Sequence, residues 1–470
     1  MKRQAQAADS LQQWSRRNAY YYGELTRLIN LHVPSGGGGG ASVLHVGCRL
    51  GDTLAALRPK RGLGIDLTDA VVSQARSRHP QPHLSFEVMD PERFEVDETF
   101  DTVVIDHALA DMHDIQASLT CIRAACAPHT RVVLCYYNAL WGPLLRLAST
   151  LGLRRPTGEQ NWLGTGAFDN LLKLAGFEVV YRSSETLLPK RVPGLNALFN
   201  RFLARFWPFN HLCLTQLVVA RPVCPPENAD RLSCTVVIPT RNERGNIEAA
   251  VRRTPNLGSH TEIIFVDGNS TDGTAQEIER VIAAHPQRDI KLIPQGDGKG
   301  KGDAVRKGFA AATGDVLMIL DADLTVPPED LPRFLQPIAD GTAEFINGTR
   351  LVYPMEDQAM RFLNKIGNRF FSMLFTWLLG QRFRDTLCGT KVLTKQNYKV
   401  IAANRSYFGD FDPFGDFDLL FRAAKLNLKI IDMPIHYKQR IYGTTNISRW
   451  KHGWLLLRMT VFAAGKLKFV

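Results

Sequence analysis

Between residues 42 and 221 short apolar runs recur: VLHVG (43–47), GLGID (62–66), LSFEVMD (84–90), FDTVVID (100–106), RVVLCYY (131–137), FEVVYR (177–182) and LTQLVVAR (214–221). Each has strand length, and the segments between them are long enough for helices, so the pattern predicts a parallel sheet with helices on both faces. Residues 1–33 predict an N-terminal helical segment, and PSGGGGGAS (34–42) predicts a loop into the first strand.

A second series starts after RPVCPPENADRLS (221–233), where adjacent prolines and polar residues mark a linker at 223–232. CTVVIPT (234–240), EIIFVDG (262–268), IKLIPQ (290–295), VLMILDAD (316–323) and FINGTR (345–350) follow, again alternating with helical segments. The two halves share a rhythm but not a sequence, so the chain reads as two different α/β domains, 1–222 and 233–470, each a mostly parallel sheet with flanking helices. A length of 470 residues agrees with more than one core.

The composition, 45% hydrophobic and 22% charged, is that of a globular chain and excludes extensive disorder. A net charge of +11 favours anionic partners: nucleic acid, acidic lipid or phosphorylated substrate. No stretch interleaves aromatic and cationic residues on a recognisable nucleic-acid module, so nucleic acid is not expected. The eight cysteines are scattered without CxxC or zinc-type spacing, which argues against a disulfide framework or structural zinc and for a reducing, cytoplasmic setting. The polar N-terminus does not read as a secretion signal, and no run of about 18 apolar residues predicts a membrane-spanning helix.

Chemistry enters at VLMILDADLTVPPEDL (316–331), where a buried-strand pattern delivers Asp321 and Asp323 to a loop closed by Pro327 and Pro328. Open α/β sheets bind ligands beyond the carboxyl ends of their strands. Two carboxylates there repel an anionic ligand unless a hard cation lies between, and all-oxygen donors suit Mg²⁺ or Mn²⁺. The simpler alternative is that they begin a turn. VVIPTRNE (236–243), IIFVDGNSTDGT (263–274) and GKGKGDAVRKGFAAATGD (298–315) precede DAD in a fixed order.

That order resembles the family-2 glycosyltransferases over most of 233–450, and within them the polyprenyl-phosphate sugar transferases similar to dolichyl-phosphate mannose synthase. The resemblance implies a GT-A-type nucleotide-sugar-binding fold and an inverting, metal-dependent transfer. It assigns Pro239, Thr240, Arg241, Glu243, Asp267, Asn269, Lys301, Asp303 and Asp321 to the nucleotide-sugar and Asp321 and Asp323 to the metal. Gly268 and Asn269 stand where the family often has a second aspartate. Glu243 also serves as a helix-start carboxylate, and the loop carrying Lys299, Lys301 and Asp303 opens a helix whose amides suit phosphate.

Downstream, RFLNKIGNRFFSMLFTWLLGQRF (361–383) and RWKHGWLLLRMTVFAAGKLKFV (449–470) predict two apolar helices with basic and aromatic edges, fit for core packing or for an acidic membrane surface. Arg350, Arg361, Arg369 and Arg440 are the candidate ligands of an anionic acceptor, since guanidinium matches phosphate. KQRIYGTTNI (438–447) resembles the family's acceptor loop at Arg440 and Gly443 but has Asn446 where a lysine is often found. In RDTLCGTKVL (384–393), Cys388-Gly389 replaces a Ser-Gly. Asp416 and Asp418 open a helix where transferases to hydroxyl groups place a general base; both also suffice as helix-start caps.

In the first half, SVLHVGCRLGDTLAAL (42–57) and GLGIDLTDAVVSQAR (62–76) resemble class I S-adenosylmethionine methyltransferases over most of 40–222. The resemblance implies cofactor contacts at Gly47, Gly51, Asp66 and Asp90. His45 replaces the family's acid and Arg49 one of its glycines. His107, His113, Tyr136 and Asn138 are the polar residues nearest the implied methyl-acceptor side.

The expected function is sugar transfer from a nucleotide-sugar to a polyprenyl phosphate, with Asp321, Asp323, Arg350, Asp416 and Arg440 as the catalytic set. The alternatives are a glycan or lipid hydroxyl acceptor with Asp416 as base, and a methyltransferase as the main activity. The expected location is the cytoplasmic face of a membrane, held peripherally.

Overall fold

The computed structural model describes residues 2–34, 40–155, 160–298, 300–350, 352, 362–408, 415–438, 442 and 449–470, with side chains throughout except at 2–8, 362–365, 406 and 449–452. Lys299, Arg361, Arg440, Gly443 and Asn446 lie outside the described residues. The chain divides into two compact units, Met1–Val223 with Lys468–Val470, and Cys224–Leu467.

The first unit is a seven-stranded sheet of β1 (Ser42–Val46), β2 (Arg61–Asp66), β3 (Leu84–Val88), β4 (Phe100–Asp106), β5 (Cys126–Tyr137), β6 (Phe177–Glu185) and β7 (Thr215–Pro222), in the order β3-β2-β1-β4-β5-β7-β6. β7 runs antiparallel to both neighbours; the remaining pairs are parallel. The strands are apolar on both faces because both are covered. Leu44, Val46, Val103 and Ile105 enter one core, and Val43, Val104 and Val133 the other. Leu25, Leu28 and Ile29 of helix Ala19–His32 close that second face, so the N-terminal segment is part of the fold. Burying each such side chain contributes about 1.5–3 kcal/mol.

The second unit has β8 (Ser233–Thr240), β9 (His260–Asp267), β10 (Asp289–Pro294), β11 (Val316–Ile319), β12 (Phe345–Thr349), β13 (Lys391–Thr394) and β14 (Ile430–Pro434), in the order β10-β9-β8-β11-β13-β12-β14. Among the described strands only β13 is antiparallel to its neighbours. β13 and β14 are additional to the strands read from the sequence. The two apolar helices run Phe362–Leu379 and Arg449–Leu467. Phe375, Leu378, Leu456, Met459 and Ala463 face inward, while Ile366, Phe370, Met373, Trp454 and Val461 are exposed. Among the described residues no helix is long and apolar enough to cross a membrane.

Candidate functional site

β11 ends at Ile319, and the chain turns at once: Leu324 N donates to the Asp321 carbonyl at 3.1 Å, with Leu324 at φ +50. A leucine in the left-handed region is unusual and marks a constrained turn. Asp323 Oδ1 accepts from Thr325 N at 3.2 Å and Thr325 Oγ1 at 2.8 Å. The turn reading of this motif therefore applies: Asp323 shapes the turn that follows Asp321.

Asp321 does not stand alone. Lys301 Nζ lies 2.6 Å from Asp321 Oδ1 and 3.9 Å from Asp416 Oδ1. Burial pushes the Asp321 carboxyl up, but Lys301 and then Lys391 and Arg350 outweigh it and hold it below the usual range. Burial likewise works against the Lys301 charge, and Asp321 and Asp416 together raise its pKa.

Glycines make this meeting possible. A Cβ on Gly389 would overlap Asp321 Oδ2 and Lys301 Nζ. A Cβ on Gly415, which sits at φ +79, would stand 2.5 Å from the Gly302 Cα. Helices Gly300–Ala311 and Asp416–Lys425 thus begin side by side, with Lys301 on one and Asp416 on the other. Asp418 is committed elsewhere, accepting from Arg422 Nε at 2.5 Å.

A buried polar network supports the peptide at 388–389. Lys391, fully buried on β13, donates from Nζ to the Cys388 carbonyl. Arg350 binds Asp385 through Nε at 2.7 Å and Nη2 at 2.9 Å, and Asn368 Nδ2 adds a bond at 2.7 Å. Asp385 is fully buried; burial raises its pKa, and the Arg350 charge more than reverses this, to about 2. Asn347 Nδ2 reaches the Asp385 carbonyl and Asp432 Oδ1, both at 2.7 Å. Burial raises Asp432 to about 6 and Cys388 to about 11. Arg350, read as an acceptor ligand, therefore also holds Asp385 in place. Lys391, Asn347 and Asp432 carried no sequence signal, because a strand residue's partners on neighbouring strands are invisible in one sequence.

The nucleotide candidates gather at the ends of β8 and β9. Asp267 accepts from Ser270 N at 3.1 Å and Ser270 Oγ at 2.6 Å. Asn269, at φ +58, donates to the Gly296 carbonyl at 2.9 Å. Thr240 is buried at the end of β8, behind the half-buried Pro239, and Arg241 is exposed. Glu243 is buried and accepts from Asn246 Nδ2 at 2.7 Å. Asp303 accepts from Gln295 Nε2 at 3.1 Å. Arg369 is exposed on helix Phe362–Leu379.

Among the described residues no three His, Cys, Asp or Glu side chains cluster as a metal cage. Mg²⁺-type ions need none: one or two carboxylates plus substrate phosphate oxygens complete their shell, and Asp321 with Asp323 fits that requirement.

In the first unit, Gly47 (φ +73), Arg49 (φ +51) and Gly51 (φ +78) keep a left-handed turn after β1. His45 Nε2 pairs with Asp106 Oδ1 at 3.1 Å, both groups buried. Burial raises Asp106, and Arg49 and His45 bring it down to about 2. Arg49 N binds Asp66 Oδ2 at 3.1 Å, and its Nη2 binds the Asp106 carbonyl at 3.2 Å. His107 Nε2 meets Tyr21 OH at 2.7 Å and stacks on Tyr137 at 4.1 Å; burial and Arg49 push it down to about 3. Asn138 is a local cap, accepting from Leu140 N. His113 and Asp90 are exposed, and Tyr136 is buried.

A cavity of about 710 Å³ lies beyond β1 and β4, lined by Cys48–Leu50, Asp106, His107, Tyr137 and residues of the N-terminal helices. Gly47, Gly51, Asp66 and Asp90 do not line it. Its walls carry six arginine or lysine residues against three aspartates. S-adenosylmethionine brings a sulfonium and an ammonium against one carboxylate, so cofactor and cavity share the sign of their charge and do not fit; no methyl-transfer step is derived from this site.

The first sheet is Rossmann-like and the second GT-A-like, each presenting its polar residues beyond parallel strand ends. Residues 235–406 match Glycosyl transferase family 2 and residues 14–182 match a Methyltransferase domain. The chain thus carries a family-2 glycosyltransferase domain preceded by a methyltransferase domain. It is 29% identical over 223 residues to glycosyltransferase AglJ of Haloferax volcanii, covering 47% of this chain and 68% of that protein. It is 37% identical over 123 residues to a dolichol-phosphate mannosyltransferase of Pyrococcus furiosus, covering 26% of this chain and 34% of that one. Among solved structures, an S-adenosylmethionine dependent methyltransferase from Mesorhizobium loti is similar at 17% identity and TM-score 0.33, covering 42% of this chain and 97% of that one.

Proposed function

We propose that the second unit is an inverting glycosyltransferase that moves a sugar from a nucleotide-sugar donor to a polyprenyl phosphate at a membrane surface. What carries this reading is the convergence of Asp321, Lys301 and Asp416 where two helices begin. A diphosphate arriving there meets a lysine and two helix N-termini, all favourable to an anion. Asp321 and Asp323 would hold Mg²⁺ or Mn²⁺, whose charge offsets that of the departing nucleoside diphosphate. Pro239, Thr240, Arg241, Glu243, Asp267, Asn269 and Asp303 are assigned to the donor, and Arg350, Arg361, Arg369 and Arg440 to the acceptor.

A phosphate acceptor is already anionic and needs no base. Asp416 shares Lys301 with Asp321, which suits a carboxylate that balances charge. The second reading, a hydroxyl acceptor with Asp416 as base, is favoured by the placement of its buried carboxylate beside the same pair. Peripheral attachment to an acidic cytoplasmic membrane face is supported by the exposed Ile366, Phe370, Met373, Trp454 and Val461 near Arg369 on these two helices.

The test incubates purified protein with a panel of nucleotide-sugars, Mn²⁺, and either polyprenyl phosphate or short glycans. Sugar on lipid phosphate, retained in Asp416→Asn, is expected. Transfer only to glycan, abolished in Asp416→Asn, would establish the second reading instead.

A further inference from the structure

The cavity of the first unit is cationic inside and apolar at its edge. Arg49 donates to the Asp106 carbonyl and lies over Tyr22 at 5.3 Å. Arg154 donates to Gln160 Oε1 at 3.0 Å and lies over Tyr137 at 5.2 Å. Neither guanidinium makes an ion pair among the described residues; Asp106, the buried acid near Arg49, favours the Arg49 charge but is shared with His45. A guanidinium resting on a ring keeps its in-plane N–H groups for other partners, and the surplus of cations over acids on the cavity wall favours a further anion there.

Helix Gly142–Thr150 separates this interior from an exposed apolar surface. Leu145 lines the cavity, whereas Leu144 and Leu147 are 57% and 55% exposed. Trp141 Nε1 bonds the Leu212 carbonyl at 2.9 Å, joining this helix to a segment where Trp207 is 78% exposed. Cations within and leucines and tryptophan at the edge together match an amphiphile whose head is anionic and whose tail is hydrocarbon.

We propose that this cavity binds the phosphate head of a lipid through Arg49 and Arg154, with its tail along Leu144 and Leu147, in place of S-adenosylmethionine. The assignment is independent of the acceptor chosen by the second unit.

Isothermal titration of the full chain in EDTA tests it, because Asp321 and Asp323 then repel phosphate. The probes are dihexanoyl-phosphatidic acid, inorganic phosphate and S-adenosylmethionine. The short-chain lipid is expected to bind at least about tenfold more tightly than inorganic phosphate. Arg49→Gln and Arg154→Gln should each weaken it about tenfold, and Leu144→Ser with Leu147→Ser should weaken the lipid alone. Arg154 is only part-buried, so its variant keeps the test valid should Arg49→Gln misfold. Equal affinity for lipid and inorganic phosphate, indifference to Arg154→Gln, or tighter binding of S-adenosylmethionine would each overturn the proposal.

Discussion

Lys301 Nζ stands 2.6 Å from Asp321 Oδ1, joining the start of one helix to the turn after β11. The Lys301 pKa is raised and the Asp321 pKa lowered by this contact. Its contribution is therefore complete above the ordinary carboxylate range and below the ordinary lysine range, and is lost as pH falls through the depressed Asp321 value or climbs through the raised Lys301 value. Between about pH 5 and 9 the pair should be insensitive to pH. Lys301→Gln is expected to lower kcat/KM by about 10²-fold, the scale for loss of one charged group at a developing anion, measured by initial rates across that range.

Gly389→Ala isolates the role of space. Position 389 is not in the left-handed region, so alanine carries no backbone penalty, but its methyl would overlap Asp321 and Lys301. Thermal unfolding should change little while turnover falls by at least about tenfold. Equal turnover in the variant would show that the carboxylate and ammonium need not meet there.

Removing Asp385 should be costly for stability. Asp385→Asn leaves Arg350 with a weaker acceptor in a buried site, at about 3–5 kcal/mol for a broken buried pair. Because the Asp385 pKa is depressed to about 2, its contribution is present at neutral pH and disappears only as pH falls through that value. Urea unfolding at pH 7 should resolve the loss, and a replacement of both partners by apolar residues should recover part of it.

Asp432 behaves in the opposite sense. Burial raises it to about 6, so the folded state holds a proton that the unfolded chain has released above about pH 4. Stability should fall as pH rises from about 4 to 6, and Asp432→Asn should stabilise the protein at pH 8 by about 1–2 kcal/mol, with no gain at pH 4. Melting temperatures at the two pH values check this.

Much of this arrangement was readable from the chain. The apolar run at 316–319 and the run at 43–46, interrupted by His45, became strands buried on both faces, and the DAD motif after the former emerged at a strand end. Strand direction was not readable, since the apolar run of β7 looks the same as those of the parallel strands, and the short KVLT of β13 was not read as a strand at all. Nor were pairings set by distant contacts. Arg350 holds an aspartate 35 residues away, and His45, read as a lost acid, pairs with Asp106 across 61 residues. Gly389 was read only as the unchanged glycine beside Cys388, which replaces a serine of the family motif, whereas its significance lies in two side chains that reach it from other segments.

Asp321 and Asp323 are proposed to act through a divalent ion on a nucleotide-sugar. Sugar transfer to polyprenyl phosphate, measured after exhaustive EDTA treatment and again on adding Mn²⁺ back, tests it most directly. Activity should be abolished by EDTA, restored by Mn²⁺ in the wild type, and restored in neither Asp321→Asn nor Asp323→Asn. Full turnover in EDTA, or in either variant, would contradict it.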